Sequence, residues 1–146
     1  LMVATGFPGL IARGSSSRLL VLNYHRIRTA EQASSEFDDG VFDTDVVTFR
    51  RQMEWLKSMT EVLDEESLLR NFPDTSPSRG RLRALVTFDD GYAECFSHVK
   101  PVLDEFGIRG IFFIPGGILE SRNLGWWDLA AYVLKRSDRA VIRLDD

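Results

Sequence analysis

Three short runs constrain the fold more than anything else in the chain: RLLVLNY (residues 18–24), RALVTF (83–88) and IFFI (111–114). Each is almost wholly apolar, and each stops at a polar or turn-forming residue, His25, Asp89 and Pro115 in turn. Strands apolar on both faces belong to parallel sheets covered by helices, not to half-solvated hairpins. Helical patterns lie between them. Val46, Phe49, Met53 and Leu56 recur on one face while Arg50, Arg51, Glu54 and Lys57 fall largely off it, which predicts a core-facing helix from a Thr44 cap to about Met59. A short apolar element, EVL, precedes a helical turn over 65–71, and FPDTSPSRG (72–80) reads as a loop. Pro101 opens a further helix through Val102, Leu103 and Phe106, with Gly107 beyond its end.

Strand, helix, strand, helix in this order predicts an α/β fold built from right-handed crossovers in a parallel sheet or barrel. A helix over 128–135 and a weak strand candidate, AVIRL, follow the third run. Three or four strands are few for closure, so the expected architecture is a partial (β/α) barrel with parallel strands, incomplete in this chain. At 146 residues the whole length reads as a single domain, with residues 1–17 a flexible or cut leader. Position 1 is not Met, and the end at LDD carries no stop signal, so both ends read as cut.

Charge narrows the partners. Eighteen basic against 22 acidic residues give a net charge of −4 with no block of one sign, which points away from nucleic acid and anionic membrane surfaces. No run approaches the roughly 20 apolar residues of a transmembrane helix. The single cysteine, Cys95, excludes an internal disulfide and a cysteine-rich zinc site.

FDDG occurs twice, in EFDDGVF (36–42) and in TFDDGY (87–92). The first copy follows AEQASSE, which is no strand, so Asp38, Asp39 and Gly40 are expected to form a solvated turn within a surface loop over 28–43. The second copy sits at the carboxyl end of a buried strand, where parallel sheets gather their functional groups. Two neighbouring carboxylates in a partly dry crevice repel each other and are both desolvated, so a cation, a metal ion or a shared proton has to compensate. A metal would take one carboxylate as a hard oxygen ligand and leave the other free to accept a proton from water. His25 ends a strand parallel to the one carrying Asp89 and is expected to face the same crevice.

These residues resemble the polysaccharide deacetylases of carbohydrate esterase family four. TFDDGY is similar to that family's first motif, and LNYHRI (22–27), FRRQMEWL (49–56) and GIRGIFFIPGG (107–117) match in order and spacing. The resemblance implies a distorted barrel and an enzyme that removes acetyl groups from N-acetylated sugars of a polysaccharide or oligosaccharide. By position it makes Asp89 the general base and Asp90 a ligand of zinc or a similar divalent ion. Beside these, His25 at its strand end and Tyr92 next to the acidic pair are the expected substrate-binding residues, and the resemblance implies a place of action outside the cytoplasm or in the cell envelope. The family draws two further ligands from an H-S/T-x-x-H motif, and no such motif occurs here; His25 and His98 are the only histidines. The expectation is therefore an amino-terminal portion of a deacetylase, inactive or weak by itself. Two other readings stand beside it. One is a catalytically degenerate module that binds glycan through Trp126, Trp127 and Tyr92; the other is a phosphoacceptor domain, which would need an aspartate that IFFIPGG does not supply.

Overall fold

The computed structural model describes residues 19–29, 31, 36–71, 82–121, 123–139 and 141. The expected leader, the loop over 72–80 and nearly all of the AVIRL strand lie outside the described residues. Strand β1 (Leu19–Tyr24) pairs in parallel along its full length with β5 (Leu82–Phe88). The other edge of β5 holds β4 (Thr60–Val62) at its start and β6 (Ile111–Phe112) at its finish, again both parallel. A separate parallel pair joins β2 (Arg26–Arg28) to β3 (Phe42–Asp45). The fold is thus α/β with all strand pairs parallel, in a sheet that stays open among the described residues.

Helix α1 (Val46–Met59) follows β3 without a loop. Its cap is Asp45 and not Thr44: the Asp45 carboxylate takes the Thr48 N–H at 2.9 Å, while Thr44 is buried within β3. Phe49, Met53 and Leu56 are its buried face, as the periodicity predicts. The Thr60 hydroxyl closes the far end by donating to the Leu56 carbonyl at 2.7 Å. Helix α2 (Glu65–Asn71) begins where Asp64 accepts the Ser67 N–H. A π-helical turn at Cys95–Val99 leads into α3 (Lys100–Phe106), so this helical run starts earlier than Pro101. Gly107, at φ 61°, ends it in the left-handed conformation that the turn requires. Two further helices, α4 (Gly116–Ser121) and α5 (Trp126–Arg136), complete the order. None of the described helices is long and apolar enough to cross a membrane.

The core lies between the sheet and helices α1 and α3, and its centre is aromatic. Tyr24, Phe49 and Phe88 pack with ring centroids 5.2 to 6.0 Å apart, two of the three contacts edge-on, a geometry that favours the ring quadrupoles. Phe112 adds a stack on Phe88 at 4.8 Å. Chain backbone presses closely here: a Cβ on Gly110 would stand 2.8 Å from the Phe88 ring.

Three expectations need correction. The 28–43 segment is not loop throughout, because its last two residues belong to β3. The run at 18–24 is not buried on both faces: Leu20, Leu22 and Tyr24 face the core, while Leu19, Val21 and Asn23 are exposed. IFFI is a strand only at Ile111 and Phe112, and Phe112, Phe113 and Ile114 are all exposed. In the last two cases the run's apolar content required a cover that the neighbouring described elements do not provide.

Candidate active site

Register builds the site. Tyr24 stands opposite Phe88 in the parallel ladder, so the next residue of each strand, His25 and Asp89, emerges side by side at the carboxyl end of the sheet. Side chains alternate along a strand, which turns Tyr24 and Phe88 into the core and puts Asn23, His25, Thr87 and Asp89 toward the other face. A polar ladder runs across that face. The Thr87 hydroxyl donates to Asn23 Oδ1 at 2.7 Å, and Asn23 Nδ2 donates to Asp89 Oδ2 at 2.8 Å. The Asp89 backbone N–H is fixed in turn by the Tyr24 carbonyl at 2.9 Å. Asp89 is therefore oriented through both its backbone and one carboxylate oxygen.

His25 occupies the bend between β1 and β2. Its Nε2 stands 3.9 Å from Asp89 Oδ2 and its Nδ1 3.7 Å from Asp43 Oδ2. Asp43 also accepts the backbone N–H groups of His25 and Arg26, which holds the bend in place. Sequence reasoning missed Asp43 by assigning it to a loop. The alternation in FDTD was the available signal, but four residues with two acids make a faint strand pattern.

Asp90 adopts φ 68° and Gly91 φ 67°, two left-handed residues in succession. Glycine does so freely, whereas an L-residue in this region is strained by roughly 1–2 kcal/mol. A Cβ on Gly91 would also stand 2.9 Å from Ile114. Burial raises the Asp90 pKa above the ordinary 3.8; His25 opposes the shift, and the Asp89 and Asp128 charges add to it. The sign follows from linkage. A carboxyl whose folded value is the higher contributes stability below the ordinary value, and that stability is lost as pH rises through the folded value. Asp90→Asn is accordingly expected to raise the melting temperature at pH 7, with the gain disappearing below about pH 3.8. Asparagine tolerates the left-handed backbone as well as aspartate does, so the comparison isolates charge. Thermal melts of the two proteins from pH 3 to 8 provide the check; a lower melting temperature for the variant at pH 7 would contradict the assignment.

Tyr92 is half-buried and its hydroxyl is engaged, donating to Asp128 Oδ2 at 3.0 Å and accepting the Trp127 indole N–H at 2.8 Å. The Arg26 guanidinium lies 4.4 Å from the centre of its ring. Asp128 is buried and was not singled out from the sequence, where its only mark is an acidic residue in the first turn of a helix. Trp126 is 76% exposed. His98 lies within the π-helical turn, half-buried. Burial pushes the Cys95 thiol up to about 11, which makes it a poor nucleophile.

The first FDDG is the turn expected of it. Asp39 and Gly40 are exposed, and the Asp38 carboxylate accepts the Gly40 N–H at 2.8 Å. It is nevertheless tied to α5, through Asp38 N–H to Asp128 Oδ1 at 3.1 Å and Lys135 to Asp39 at 2.6 Å. An apolar groove of about 600 Å³ adjoins the acids without containing them; its lining starts at Gly91 and includes Phe96, Leu103, Ile108 and Phe112.

Among the described residues no three metal-ligating side chains come together. The donors at hand, Asp90 and His25 beside Asp89, fit a divalent ion only in part, since a tight site takes at least three protein ligands.

No protein-family model matches the chain, and no curated protein matches it. Solved structures do. A de-N-acetylase from Aggregatibacter actinomycetemcomitans aligns at a TM-score of 0.51 with 22% identity, over 64% of this chain and 36% of its own. The Streptococcus pyogenes deacetylase PplD, solved with acetate, aligns at 0.52 with 16% identity, over 81% of this chain and 50% of its own. The chain spans half or less of the length of these relatives. Identities this low speak to fold alone: over the aligned part the chain shares the fold of these two deacetylase structures, with the parallel α/β layout that the order of strands and helices predicts.

Proposed function

We propose that this chain supplies the acidic part of a hydrolase site that removes acetyl groups from N-acetylated sugars of a polysaccharide. The observation that carries the reading is that the strand register sets His25 and Asp89 side by side at the carboxyl end of one parallel sheet, with Asp89 held from two sides and Asp90 following it in the turn.

Hydrolysis of an acetamide needs a base that takes a proton from the attacking water and an acid that returns one to the leaving amine. Asp89 is the base. The Asn23 hydrogen bond occupies one of its oxygens and aims the carboxylate. His25 borders the same opening and, with Tyr92 at the other side of the loop, would line the sugar. Asp90 is the residue that would hold a divalent cation, zinc or a similar ion; bound there, such an ion would polarise the acetamide carbonyl and offset the cost of burying the Asp90 charge. The partial donor set supports the second half of the reading, that turnover by these residues alone is weak.

A binding-only module of the same fold is the second reading, favoured by the exposed Trp126 beside the partial donor set. Acetate release separates the two. With zinc present, the 146-residue chain should bind N-acetylglucosamine oligomers and release acetate slowly, stoichiometrically with free amine. Binding without any acetate release would replace the hydrolase reading with the binding one.

A further inference from the structure

We infer that Asp128 is a positioning residue for the acidic pair, and that α5 acts as a strap whose buried carboxylate joins the two FDDG turns into one unit. The inference rests on the reading of Asp89 and Asp90 as the working acids.

Asp128 is 3% exposed. Burying a carboxylate is costly, and an apolar residue of similar size would pack at least as well, so the acid's value lies in what it holds in place. It holds two things. Oδ1 accepts the Asp38 N–H from the first turn, and Oδ2 accepts the Tyr92 hydroxyl from the loop that carries the second. Tyr92 follows directly on the two left-handed residues, Asp90 and Gly91. A strained backbone of that kind persists only when its surroundings over-determine it. Tyr92 is the visible constraint on that side: its hydroxyl is fixed by Asp128 and Trp127, and its ring carries the Arg26 guanidinium.

The guanidinium is itself anchored. Arg26 pairs with Glu94, and Arg28 stands 3.8 Å from the same carboxylate. Two arginines and two acids, Glu94 and Asp128, thus lie near one another under the loop; burial and the Arg26 charge lower the Arg28 pKa, and the charges of Glu94, Asp39 and Asp128 oppose that shift. By contrast, other contacts of α5 with the first turn are peripheral: Lys135 with Asp39 and with the Phe37 carbonyl, Arg136 with Glu36, and a Phe37–Tyr132 ring contact at 6.0 Å. Exposed ion pairs of this kind contribute little. The buried carboxylate is therefore the fastening that couples helix position to Asp90.

The test uses backbone amide NMR on the 146-residue chain and on Asp128→Ala, Asp128→Asn and Tyr92→Phe. In Asp128→Ala and in Tyr92→Phe the amide signals of Asp90 and Gly91 should move. Exchange of the Cys95 N–H, which bonds the Tyr92 carbonyl, should quicken by about tenfold, the scale of a local opening made easier while the global fold stands. Asp128→Asn keeps one oxygen acceptor, which can serve the tyrosine but leaves its amide NH2 facing the Asp38 N–H, so it should restore the Asp90 and Gly91 signals while the Asp38 amide stays shifted, a split that a loss of general stability would not show. Combining Tyr92→Phe with Asp128→Ala should move the Asp90 and Gly91 signals by less than the sum of the single changes, because the two share the Asp128–Tyr92 connection. If Asp128→Ala does not fold, Tyr92→Phe, which removes a single oxygen, gives the same readout. Signals at Asp90 and Gly91 that stay put in Tyr92→Phe, or a Cys95 exchange rate that does not change, would overturn the inference. Acetate release by the chain with zinc present is a separate measurement: its absence with the NMR coupling intact would remove the functional reading and leave the coupling standing.

Discussion

Asp89→Asn is expected to lower acetate release by about 10²–10⁴-fold, the span that a positioned general base contributes. The substitution is nearly isosteric. An asparagine oxygen can still accept from Asn23 Nδ2, and the backbone bond to the Tyr24 carbonyl is untouched, so the strand end keeps its shape. What disappears is the ability to hold a proton taken from water. Oligomer affinity should stay within a few-fold and the melting temperature should hardly move. The measurement is acetate release from N-acetylglucosamine oligomers by the chain and its variant with zinc present, followed over a range of substrate concentrations so that kcat and KM separate. Equal kcat in the two proteins would take the role of base away from Asp89.

Phe49→Ala should cost about 3–5 kcal/mol of folding stability, the range for removing a large buried aromatic side chain. Phe49 is fully buried on α1 and meets both Tyr24 and Phe88 edge-on. Those two rings immediately precede His25 and Asp89, so the cavity would open directly beneath the site. Domains of this size are stable by roughly 5–15 kcal/mol, and a loss of that order would leave little margin. Urea unfolding followed by circular dichroism gives the figure. A loss under about 1 kcal/mol would mean that the site collapses readily and that the aromatic cluster is not the pivot of the core.

Much of this was legible in the chain because periodicity reports which side of an element needs cover. The stripe Phe49, Met53 and Leu56 could belong only to a core-facing helix, and TFDDGY could be told from EFDDGVF by the strand before it. The β2–β3 pair was not legible. Its strands are three and four residues long, and five of their seven residues are charged or polar, so any alternation in them is too short and too polar to read as a strand. Asp43 and Asp128 escaped for a related reason. Their partners are backbone N–H groups and a tyrosine 36 positions away, contacts that no local spacing encodes. The exposed faces of β1 and β6 show the same limit: an apolar run states that cover is needed, and topology decides where it is found.

The pairing of Tyr24 with Phe88 also restricts how such a chain can be altered in length. Because neighbouring side chains along a strand point opposite ways, one codon inserted or deleted within residues 19–24 would turn His25 toward the aromatic cluster or move Tyr24 out to the mouth. The same edit within 82–88 would do this to Asp89. Grafting, splicing and loop redesign therefore belong outside these two stretches, since the distance between imidazole and carboxylate is written as a count of residues in each strand.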